Sequence, residues 1–366
     1  MNVLHVFKDV FPPTYGGVEQ HIWEVARSLA PGIRPTVLTS SRSGRRVEQE
    51  VEGVRIVRVP EYGRFFSTPL TPSWFSELRR SQDAVVHVHL PSPLGELAAL
   101  ADDPQRPLVA SYHADVVRNL RMARAHARIQ ARLLGRADRI VVGSPVLAET
   151  TPALFPHRER IVVIPYGVDP DDWPADPERV EQLRTRYDQP IVLLVGRLVH
   201  YKGVDVLLEA MRGVSASLVV VGDGPLRAAL ERTASEQRLG RRVSFVGNVT
   251  NRERSAYYQA ASVFVLPAVS RGESFGIAML EAMSYGTAVV STELGTGTSW
   301  VNVTGETGLV VPPKDPAALA DAITTLLGDD ELRIRFGQAA ARRARERFCK
   351  RAMLDQLAGL YRSLAA

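Results

Sequence analysis

The sequence is poor in cysteine and in long apolar runs, and each shortage excludes a class of protein. One cysteine, Cys349, among 366 residues rules out a disulfide framework and any metal site built from several thiolates. No apolar run approaches the roughly 20 residues that a membrane-spanning helix needs, and no secretory signal is visible after Met1. We therefore expect a cytoplasmic protein.

Lysine is scarce as well. It supplies only 4 of the 45 basic residues, at positions 8, 202, 314 and 350, and the others are arginine. The formal net charge of +5 is too small for this length to indicate a nucleic-acid partner, but it is compatible with an anionic small ligand or a membrane surface. The hydrophobic share of 45% is that of a globular protein. At this length a globular chain is expected to form two or three domains.

The glycine patterns of dinucleotide and Walker-type phosphate sites are missing too. The first predicted strand is followed by Gly16-Gly17 but by no G-x-G-x-x-G, and Gly295-Thr296-Gly297 lacks the third glycine. We therefore disfavour a nicotinamide or flavin enzyme and expect no cofactor. Gly16 and Gly17 still offer two backbone N–H groups to a phosphate at a helix start. A plain loop-to-helix turn explains them equally well.

Short β-branched runs alternate with helical segments, and this alternation occurs twice. The first series extends from Val3–Phe7 to Ile161–Ile164, and the second from Ile191–Val195 to Gly308–Val310. Strands separated by helices predict parallel sheets covered on both faces, with ligands bound where the strands end. We predict an α/β fold of two doubly wound Rossmann-like domains, at 1–165 and 178–349, that face a central cleft.

A loop of the second series carries two cations. Gly196-Arg197-Leu198 ends a predicted strand, and Lys202-Gly203 follows where a helix should start. Arginine binds phosphate as a fork and lysine as a point charge, so the pair suits a diphosphate. The alternative is a solvated loop.

Two glutamates eight residues apart follow a later strand. We predict a helix that begins at Ser274, a favourable N-cap residue, so that the amides of Phe275, Gly276 and Ile277 point at an anion. Glu273 would lie just outside this helix and Glu281 about two turns inside it. The rise per residue then separates them by roughly 10 Å, which suits a sugar at one end and a ribose at the other.

These motifs together resemble a family 4 glycosyltransferase of the GT-B fold. They occur in the family's order over nearly the whole chain: Pro165-Tyr166-Gly167-Val168-Asp169, Gly196-Arg197-Leu198, Lys202-Gly203, Val221-Gly222-Asp223-Gly224-Pro225 and Glu273 with Glu281. The resemblance implies retaining transfer from a nucleotide-diphosphate sugar, which is a substrate, without a bound metal. It also implies that the last helix, at about 350–366, returns to the first domain.

The resemblance also assigns roles. Arg197, Lys202, Gly16 and Gly17 would hold the diphosphate, Glu281 the ribose, and Glu273 the donor sugar. Asn248 and Val249 fall where the family's base-binding loop lies.

His113 ends the run Pro107–Tyr112 and matches the family's active-site histidine, which touches the sugar. A core histidine is the alternative. Arg118, Asn119 and Ser144 are further candidates for the same cleft.

Three segments leave alternatives open. His87 and His89 share one face of a strand, which suits either packing or a metal, but no third ligand is evident. Asp169-Pro170-Asp171-Asp172 imitates the aspartate motif of metal-dependent transferases, and its place between the domains favours a helix start. The stretch Gly295–Asn302 departs from the usual family pattern. It resembles bacterial mannosyl- and rhamnosyl-transferases of polysaccharide assembly and so favours GDP-mannose.

The first domain also carries a basic and aromatic surface. Arg121, Arg124, Arg128 and Arg132 are spaced for one helix face. Aromatic and arginine residues mix at 62–66 and 74–80. We expect peripheral attachment to the anionic inner face of the membrane; a solvated helix face, or an anionic soluble acceptor, is the alternative.

Three functions fit the sequence. The first is a transferase with a glycan, lipid-linked or small-molecule acceptor. The second is a sugar-nucleotide epimerase of the same fold, which would convert the donor with no acceptor present. The third is a non-catalytic nucleotide-sugar binding protein, which would tolerate the loss of Glu273 or Lys202.

Overall fold

The computed structural model describes residues 1–12, 14, 16–65, 68–115, 120–187 and 189–365. The chain forms two compact units. The N-terminal unit comprises Met1–Tyr166 together with Arg351–Ala366, and the C-terminal unit is Gly167–Lys350. The segment 167–177, expected to connect the domains, therefore belongs to the C-terminal unit.

The N-terminal unit is built on an eight-stranded sheet. The strands are β1 Asn2–Val6, β2 Arg34–Ser41, β3 Val47–Val51, β4 Val54–Pro60, β5 Arg64–Phe65, β6 Thr68–Pro69, β7 Val85–Leu90, β8 Leu108–Tyr112, β9 Arg139–Val142 and β10 Ile161–Val163. The strand order is β10-β9-β8-β7-β1-β2-β4-β3, and the two-residue strands β5 and β6 form a separate antiparallel pair. Among the described strands of the large sheet, only β3 runs antiparallel to its neighbour; this exposed edge strand was not predicted because its residues, VEQEV, lack an apolar run.

Helices cover both faces of this sheet. They are α1 Gly17–Ser28, α2 Trp74–Arg80, α3 Pro93–Leu100, α4 Leu120–Arg136 and α5 Pro145–Thr150, and the last helix of the chain, α14 Lys350–Ala365, joins them. Apolar side chains of α14 are buried in one core cluster with strand residues of β1, β7, β8 and β9: Met353, Leu354, Leu357, Leu360 and Tyr361. The helix therefore completes the core of the unit in which the chain begins.

Tyr361 anchors α14 by a buried hydrogen bond as well as by packing. Its hydroxyl lies 2.7 Å from Nδ1 of His87, and Nε2 of the same imidazole lies 2.7 Å from the hydroxyl of Ser111. Burial raises the pKa of Tyr361, so the phenol keeps its proton. The polar chain ties helix α14 to strands β7 and β8.

The C-terminal unit is built on a six-stranded, wholly parallel sheet. Its strands are β11 Ile191–Val195, β12 Ser217–Val221, β13 Val243–Gly247, β14 Val263–Leu266, β15 Ala288–Thr292 and β16 Gly308–Val311. They lie in the order β13-β12-β11-β14-β15-β16. The helices are α6 Pro177–Arg186, α7 Val204–Ala210, α8 Arg227–Glu236, α9 Asn251–Ala260, α10 Ile277–Ser284, α11 Thr298–Val301, α12 Pro316–Gly328 and α13 Asp330–Arg347.

The aspartates at 169–172 hold the start of the C-terminal unit. The carboxylate of Asp169 accepts from the amide of Asp171 at 3.0 Å and caps the short 3-10 helix Pro170–Asp172. Asp172 accepts from the ammonium of Lys350 at 2.6 Å. Both side chains thus have structural partners.

None of the helices in the described part of the chain has both the length and the apolar character to cross a bilayer.

We predict that Tyr361→Phe destabilises the N-terminal unit, because the substitution leaves Nδ1 of buried His87 without a partner. The expected loss is about 1–3 kcal/mol, the usual cost of one unsatisfied buried polar group. Urea denaturation followed by circular dichroism measures it. Tyr62→Phe is the matched control, since Tyr62 is 71% exposed. Equal stability of the two variants would contradict the assigned anchor.

Candidate active site

The strand order of the C-terminal unit places two loops side by side. The chain starts at β11, proceeds outward through β12 and β13, and then continues on the other side of β11 with β14. In such sheets ligands bind beyond the carboxyl ends of the strands at the point where the order reverses. The loop after β11 carries Arg197 and Lys202, and the loop after β14 carries Glu273.

Lys202 and Glu273 form an ion pair at this point. The Lys202 ammonium lies 2.5 Å from Oε2 of Glu273, and the two side chains are only 13% and 11% exposed. Burial acts to lower the pKa of Lys202, but the charge of Glu273 outweighs it, and the pKa lies above its ordinary value. The pair brings together the residue predicted to bind the diphosphate, Lys202, and the residue predicted to bind the donor sugar, Glu273.

A glycine allows the two loops to approach each other. Gly203 has φ of +65°, and a Cβ atom there would overlap the carbonyl oxygen of Pro267, which follows β14. The amide of Val269 in turn donates to the carbonyl of Tyr201 at 2.8 Å. Only glycine fits this contact, and it fixes Lys202 beside the loop that carries Glu273.

The helix after Glu273 begins later than predicted. It starts at Ile277, and its N-cap is Gly276 with φ of +85°, so the prediction of Ser274 as the N-cap is wrong. Oε1 of Glu273 accepts from the Gly276 amide at 3.0 Å and does the work of an N-cap side chain. Glu273 occupies this amide in the free protein, and the predicted contact with an external anion stays a prediction.

The loop around Glu273 rests on the stretch that departs from the family pattern. The hydroxyl of Thr296 donates to the carbonyl of Glu273 at 2.9 Å, and the amide of Gly297 donates to that of Ser274 at 2.8 Å. Thr296 is fully buried. The ring of Phe275 is buried against Trp300. This support fixes the backbone of the candidate site, and no local sequence pattern predicts it.

Glu281 lies one turn inside helix α10, not two. Its carboxylate accepts from Arg254 at 3.1 Å and from the Tyr258 hydroxyl at 2.6 Å. Burial and the Glu281 charge raise the pKa of Tyr258 well above its ordinary value, so the phenol remains a donor. Arg254 and Tyr258 are four residues apart on α9, a spacing that could have identified them as one face.

The remaining candidates of this unit lie at the same edge of the sheet. Arg197 is exposed, and among the described residues no ion-pair partner is assigned to it. Exposed Asn248 and half-buried Val249 follow the end of β13. The structure thus joins Lys202, Glu273 and Gly276 directly, whereas Glu281 has its own partners on α9.

In the N-terminal unit, Gly16 is the N-cap of α1 and Gly17 its first residue. The carboxylate of Glu19 folds back over Gly16, where a Cβ atom would overlap it, and Glu19 is buried. This is the third helical residue, the position from which glutamate closes a capping box. Sequence reasoning missed this carboxylate, although a glutamate in the first turn is the usual signal.

His113 is buried, and both of its ring nitrogens have protein partners. Nε2 lies 2.9 Å from Nδ1 of His89, and Nδ1 lies 2.5 Å from the hydroxyl of Tyr166. Only 4% of the residue is exposed. A contact to a sugar therefore requires His113 to exchange one of these bonds. Arg118 and Asn119 lie outside the described residues, and Ser144 caps helix α5 through the amide of Leu147.

The structure places a third imidazole, that of His5, beside His87 and His89, where the sequence indicated no third ligand. It lies on β1 in register with His87, and the three rings offer nitrogen atoms within 4.8 Å of one another. Five of the six ring nitrogens have hydrogen-bond partners: His5 bonds to His89, His89 also to His113, and His87 to Ser111 and Tyr361. Nε2 of His5 has none among the described residues. The pair at 87 and 89 therefore belongs to a buried hydrogen-bonded network of the sheet, and strand packing stays the prediction for it.

Comparisons with known proteins identify the family of the chain. Residues 15–172 match the model described as Glycosyltransferase Family 4, and residues 176–343 match that of Glycosyl transferases group 1. The chain is 32% identical over 367 residues to the O-antigen chain mannosyltransferase C of Escherichia coli, which covers 100% of this chain and 99% of the relative. The chain belongs to the family 4 glycosyltransferases, whose fold is GT-B.

A second relative and a solved structure extend the comparison. The D-rhamnosyltransferase WbpZ of Pseudomonas aeruginosa is 35% identical over 95% of this chain and 92% of its own length. A sucrose-phosphate synthase from Thermosynechococcus elongatus superposes with a TM-score of 0.84 at 23% identity, over 99% of this chain and 98% of that one. That likeness shows the fold. The chain is thus a glycosyltransferase related to an O-antigen chain mannosyltransferase and to a D-rhamnosyltransferase.

We predict that acid destabilises the N-terminal unit through its histidines. Burial lowers the pKa of His5 to about 3 and of His21 to about 4, and it places those of His87, His89 and His113 well below their ordinary value. Below pH 6.5 the unfolded chain then binds more protons than the folded one. The histidines therefore leave the free energy of unfolding at its full value above that pH, and it falls as the pH drops toward 4.

Each such histidine contributes a slope of up to about 1.4 kcal/mol per pH unit. Thermal unfolding between pH 7.5 and 4.5 measures this slope of unfolding free energy against pH. His21→Gln should reduce the slope by the contribution of about one proton, or about 1.4 kcal/mol per pH unit. His200→Gln is the control, because His200 is exposed and lies in the other unit. A melting temperature that stays constant from pH 6.5 to 5 would contradict this prediction.

Proposed function

We propose that the protein transfers a hexosyl group, with retention, from a nucleoside-diphosphate sugar to a glycan, lipid-linked or small-molecule acceptor, without a bound metal. The observation that carries the proposal is the Lys202–Glu273 pair at the reversal of strand order. GDP-mannose is the favoured donor. The mannosyl- and rhamnosyl-transferase relatives and the Gly295–Asn302 stretch support this choice.

The cations of the loop after β11 would serve the departing diphosphate. Negative charge grows on the phosphate oxygens as the bond to the sugar breaks, and fixed positive groups stabilise that charge most where water is excluded. The side chain of Lys202 is only 13% exposed, and the exposed Arg197 lies on the same loop. The N-terminus of α10 adds a favourable dipole.

Glu273 and Glu281 would hold the two ends of the donor. Glu273 would contact the donor sugar. The Lys202 ammonium, which pairs with Glu273 in the free protein, would then contact the phosphate. Glu281 contacts the ribose. Each of its oxygens accepts one protein hydrogen bond and keeps a second lone pair for a ribose hydroxyl.

Retention would follow from attack on the face from which the nucleotide departs. The bond from the anomeric carbon to the phosphate breaks, a bond to the acceptor oxygen forms, and the acceptor's proton passes to the departing phosphate. Retaining glycosidases use a carboxylate nucleophile instead. Glu273 is poorly suited to that role because Lys202 and the Gly276 amide engage both of its oxygens. In the N-terminal unit, His113 would contact the transferred sugar.

The test is transfer from GDP-, UDP-, ADP- and dTDP-sugars to an acceptor, with the anomeric configuration of the product read by NMR. We predict that Glu273→Gln lowers kcat by at least about a hundredfold, and that Lys202→Ala raises the donor KM at least about tenfold. Glu281→Ala should raise the donor KM while kcat changes little, because a ribose contact is made equally in both states.

Lys314→Ala is the matched control, since Lys314 is an exposed lysine of the same unit. Near-normal turnover of Glu273→Gln at saturating donor would refute the role of Glu273. An inverted product would refute retention. Conversion of the donor with no acceptor present would indicate an epimerase instead.

We predict that EDTA leaves the rate within about twofold. Lys202, Arg197 and the dipole of α10 would supply the charge that Mg²⁺ supplies in metal-dependent transferases. The rate is compared with and without chelator, and again after Mg²⁺ or Mn²⁺ is added. Complete loss of the rate, restored by either ion, would contradict metal independence. The aspartates of Asp169–Asp172 would then be the candidate metal ligands.

We also propose that the N-terminal unit attaches to an anionic membrane surface, consistent with a place on the inner face of the membrane. Arg124, Arg128 and Arg132 are exposed on helix α4; the side chain of Arg121 lies outside the description. Around the β5–β6 hairpin, Tyr62, Phe65 and Leu70 are 71%, 65% and 54% exposed. Basic residues near anionic lipid contribute about 1 kcal/mol each.

The expected result is flotation with anionic vesicles at low salt and little flotation at high salt or with neutral vesicles. Replacing the three exposed arginines of α4 by glutamine should abolish flotation. The control makes the same charge change on α13 through three exposed arginines there: Arg335, Arg342 and Arg345. Binding to neutral vesicles as strong as to anionic ones, or equal binding by the α4 and α13 triple variants, would contradict the proposal.

A further inference from the structure

A row of buried imidazoles runs from the central strand of the N-terminal sheet to His113. Nδ1 of His5 lies 3.0 Å from Nε2 of His89, and Nδ1 of His89 lies 2.9 Å from Nε2 of His113. At the end of the row, Nδ1 of His113 lies 2.5 Å from the hydroxyl of Tyr166. We call these three histidines the imidazole row. His89 and His113 each use Nε2 toward the preceding ring and Nδ1 toward the next group, whereas His5 uses only Nδ1.

Proton counting allows the row only two states. Burial keeps all three rings uncharged near neutral pH, because it lowers their pKa values. A neutral imidazole carries one proton, so it donates from one nitrogen and accepts at the other. The hydrogen bonds of the row must therefore all point the same way. Either every ring is protonated on Nδ1, or every ring is protonated on Nε2.

The buried end of the row selects between these states. Nε2 of His5 has no hydrogen-bond partner among the described residues, and His5 has no exposed surface. Buried N–H groups without an acceptor are rarer in proteins than buried acceptors that lack a donor. The unpartnered nitrogen should therefore be the bare one. The proton lies on Nδ1 of His5, and the same follows for His89 and His113.

We propose that His89 and His5 are positioning residues, which hold the plane of the His113 ring and fix its proton on Nδ1. His113 then presents a donor N–H on the side that Tyr166 occupies, where a sugar oxygen can take the place of the phenol. The inference rests on the proposed function, in which His113 contacts the transferred sugar. None of the motifs that define the family site in this chain includes His5 or His89.

His87 provides a matched control within the same strand. It is as buried as His89, at 1% exposure, and its ring stacks on that of His89 with centroids 4.2 Å apart. Its nitrogens bond to Ser111 and Tyr361, so it lies outside the row. Loss of His87 should therefore cost stability without changing the proton of His113.

The first experiment reads the tautomers directly. Long-range proton–nitrogen NMR of the full chain labelled with 15N-histidine distinguishes Nδ1–H from Nε2–H for each ring. Wild type is expected to show Nδ1–H at His5, His89 and His113, and His87→Phe should keep this signature at His113. An Nε2 proton on His113 in wild type would overturn the inference, whatever the variants do.

The second experiment is a double-mutant cycle on kcat/KM. His89→Phe should lower kcat/KM about ten- to hundredfold, by analogy with the loss found when the partner that orients a metal-ligating histidine is removed. His89→Asn should recover most of it, because its amide nitrogen can replace the Nδ1–H donor. In a His113→Ala background, His89→Phe should cost nothing further. Additive losses would show that His89 acts on the fold alone.

The two experiments separate failure of the inference from failure of the proposed function. Wild type that transfers no sugar would refute the function, while the NMR signature would still test the row. Active wild type with additive variants would refute only the inference. A stoichiometric metal in the purified chain, with unprotonated ring nitrogens, would also overturn it by making His5, His87 and His89 ligands.

Discussion

In a parallel sheet every strand ends at the same edge, and this constraint determines where the chemistry of each unit lies. It brings Lys202 and Glu273 into contact across 71 residues of sequence, because the strands before them are neighbours. The resulting ion pair makes the two loops depend on each other. A buried ammonium left without its carboxylate is strongly destabilising, and Gly203 leaves the loops little freedom to separate.

Both units place their own carboxylate at the helix start that the sequence offers to a phosphate. Glu19 covers Gly16 before α1, and Glu273 accepts from the Gly276 amide before α10. Helix N-termini favour negative charge. In the proposed reaction, a diphosphate that reached these amides would exchange with a carboxylate. Neither helix end is left bare in the free protein.

The sequence predicted the alternation of elements well because each buried parallel strand is a short apolar run between turns. It failed for β3, whose exposed residues carry no such pattern. It also misplaced the start of α10 at Ser274. Side-chain capping propensity favours serine, but the positive φ of Gly276 and the reach of Glu273 decide the boundary. Neither property can be read from propensity alone.

The placement of candidate residues was predictable where a motif carries charge at a strand end, as at Lys202 and Glu273. Their supports were not. Thr296 and Tyr258 act through contacts between segments distant in sequence, and nothing local distinguishes them. His5 had a usable signal, because neighbouring parallel strands place it in register with His87. That register is known only once the strand order is known.

The discontinuity of the N-terminal unit has a consequence for biosynthesis. Its core includes Leu357 and Tyr361, so residues 1–166 lack part of their packing until the residues beyond 350 have been synthesised. The C-terminal unit is one continuous segment and needs no such late contribution. Domains generally fold as units during synthesis, N-terminal first. Here the order of completion is reversed: the unit that leaves the ribosome first is the one that finishes last.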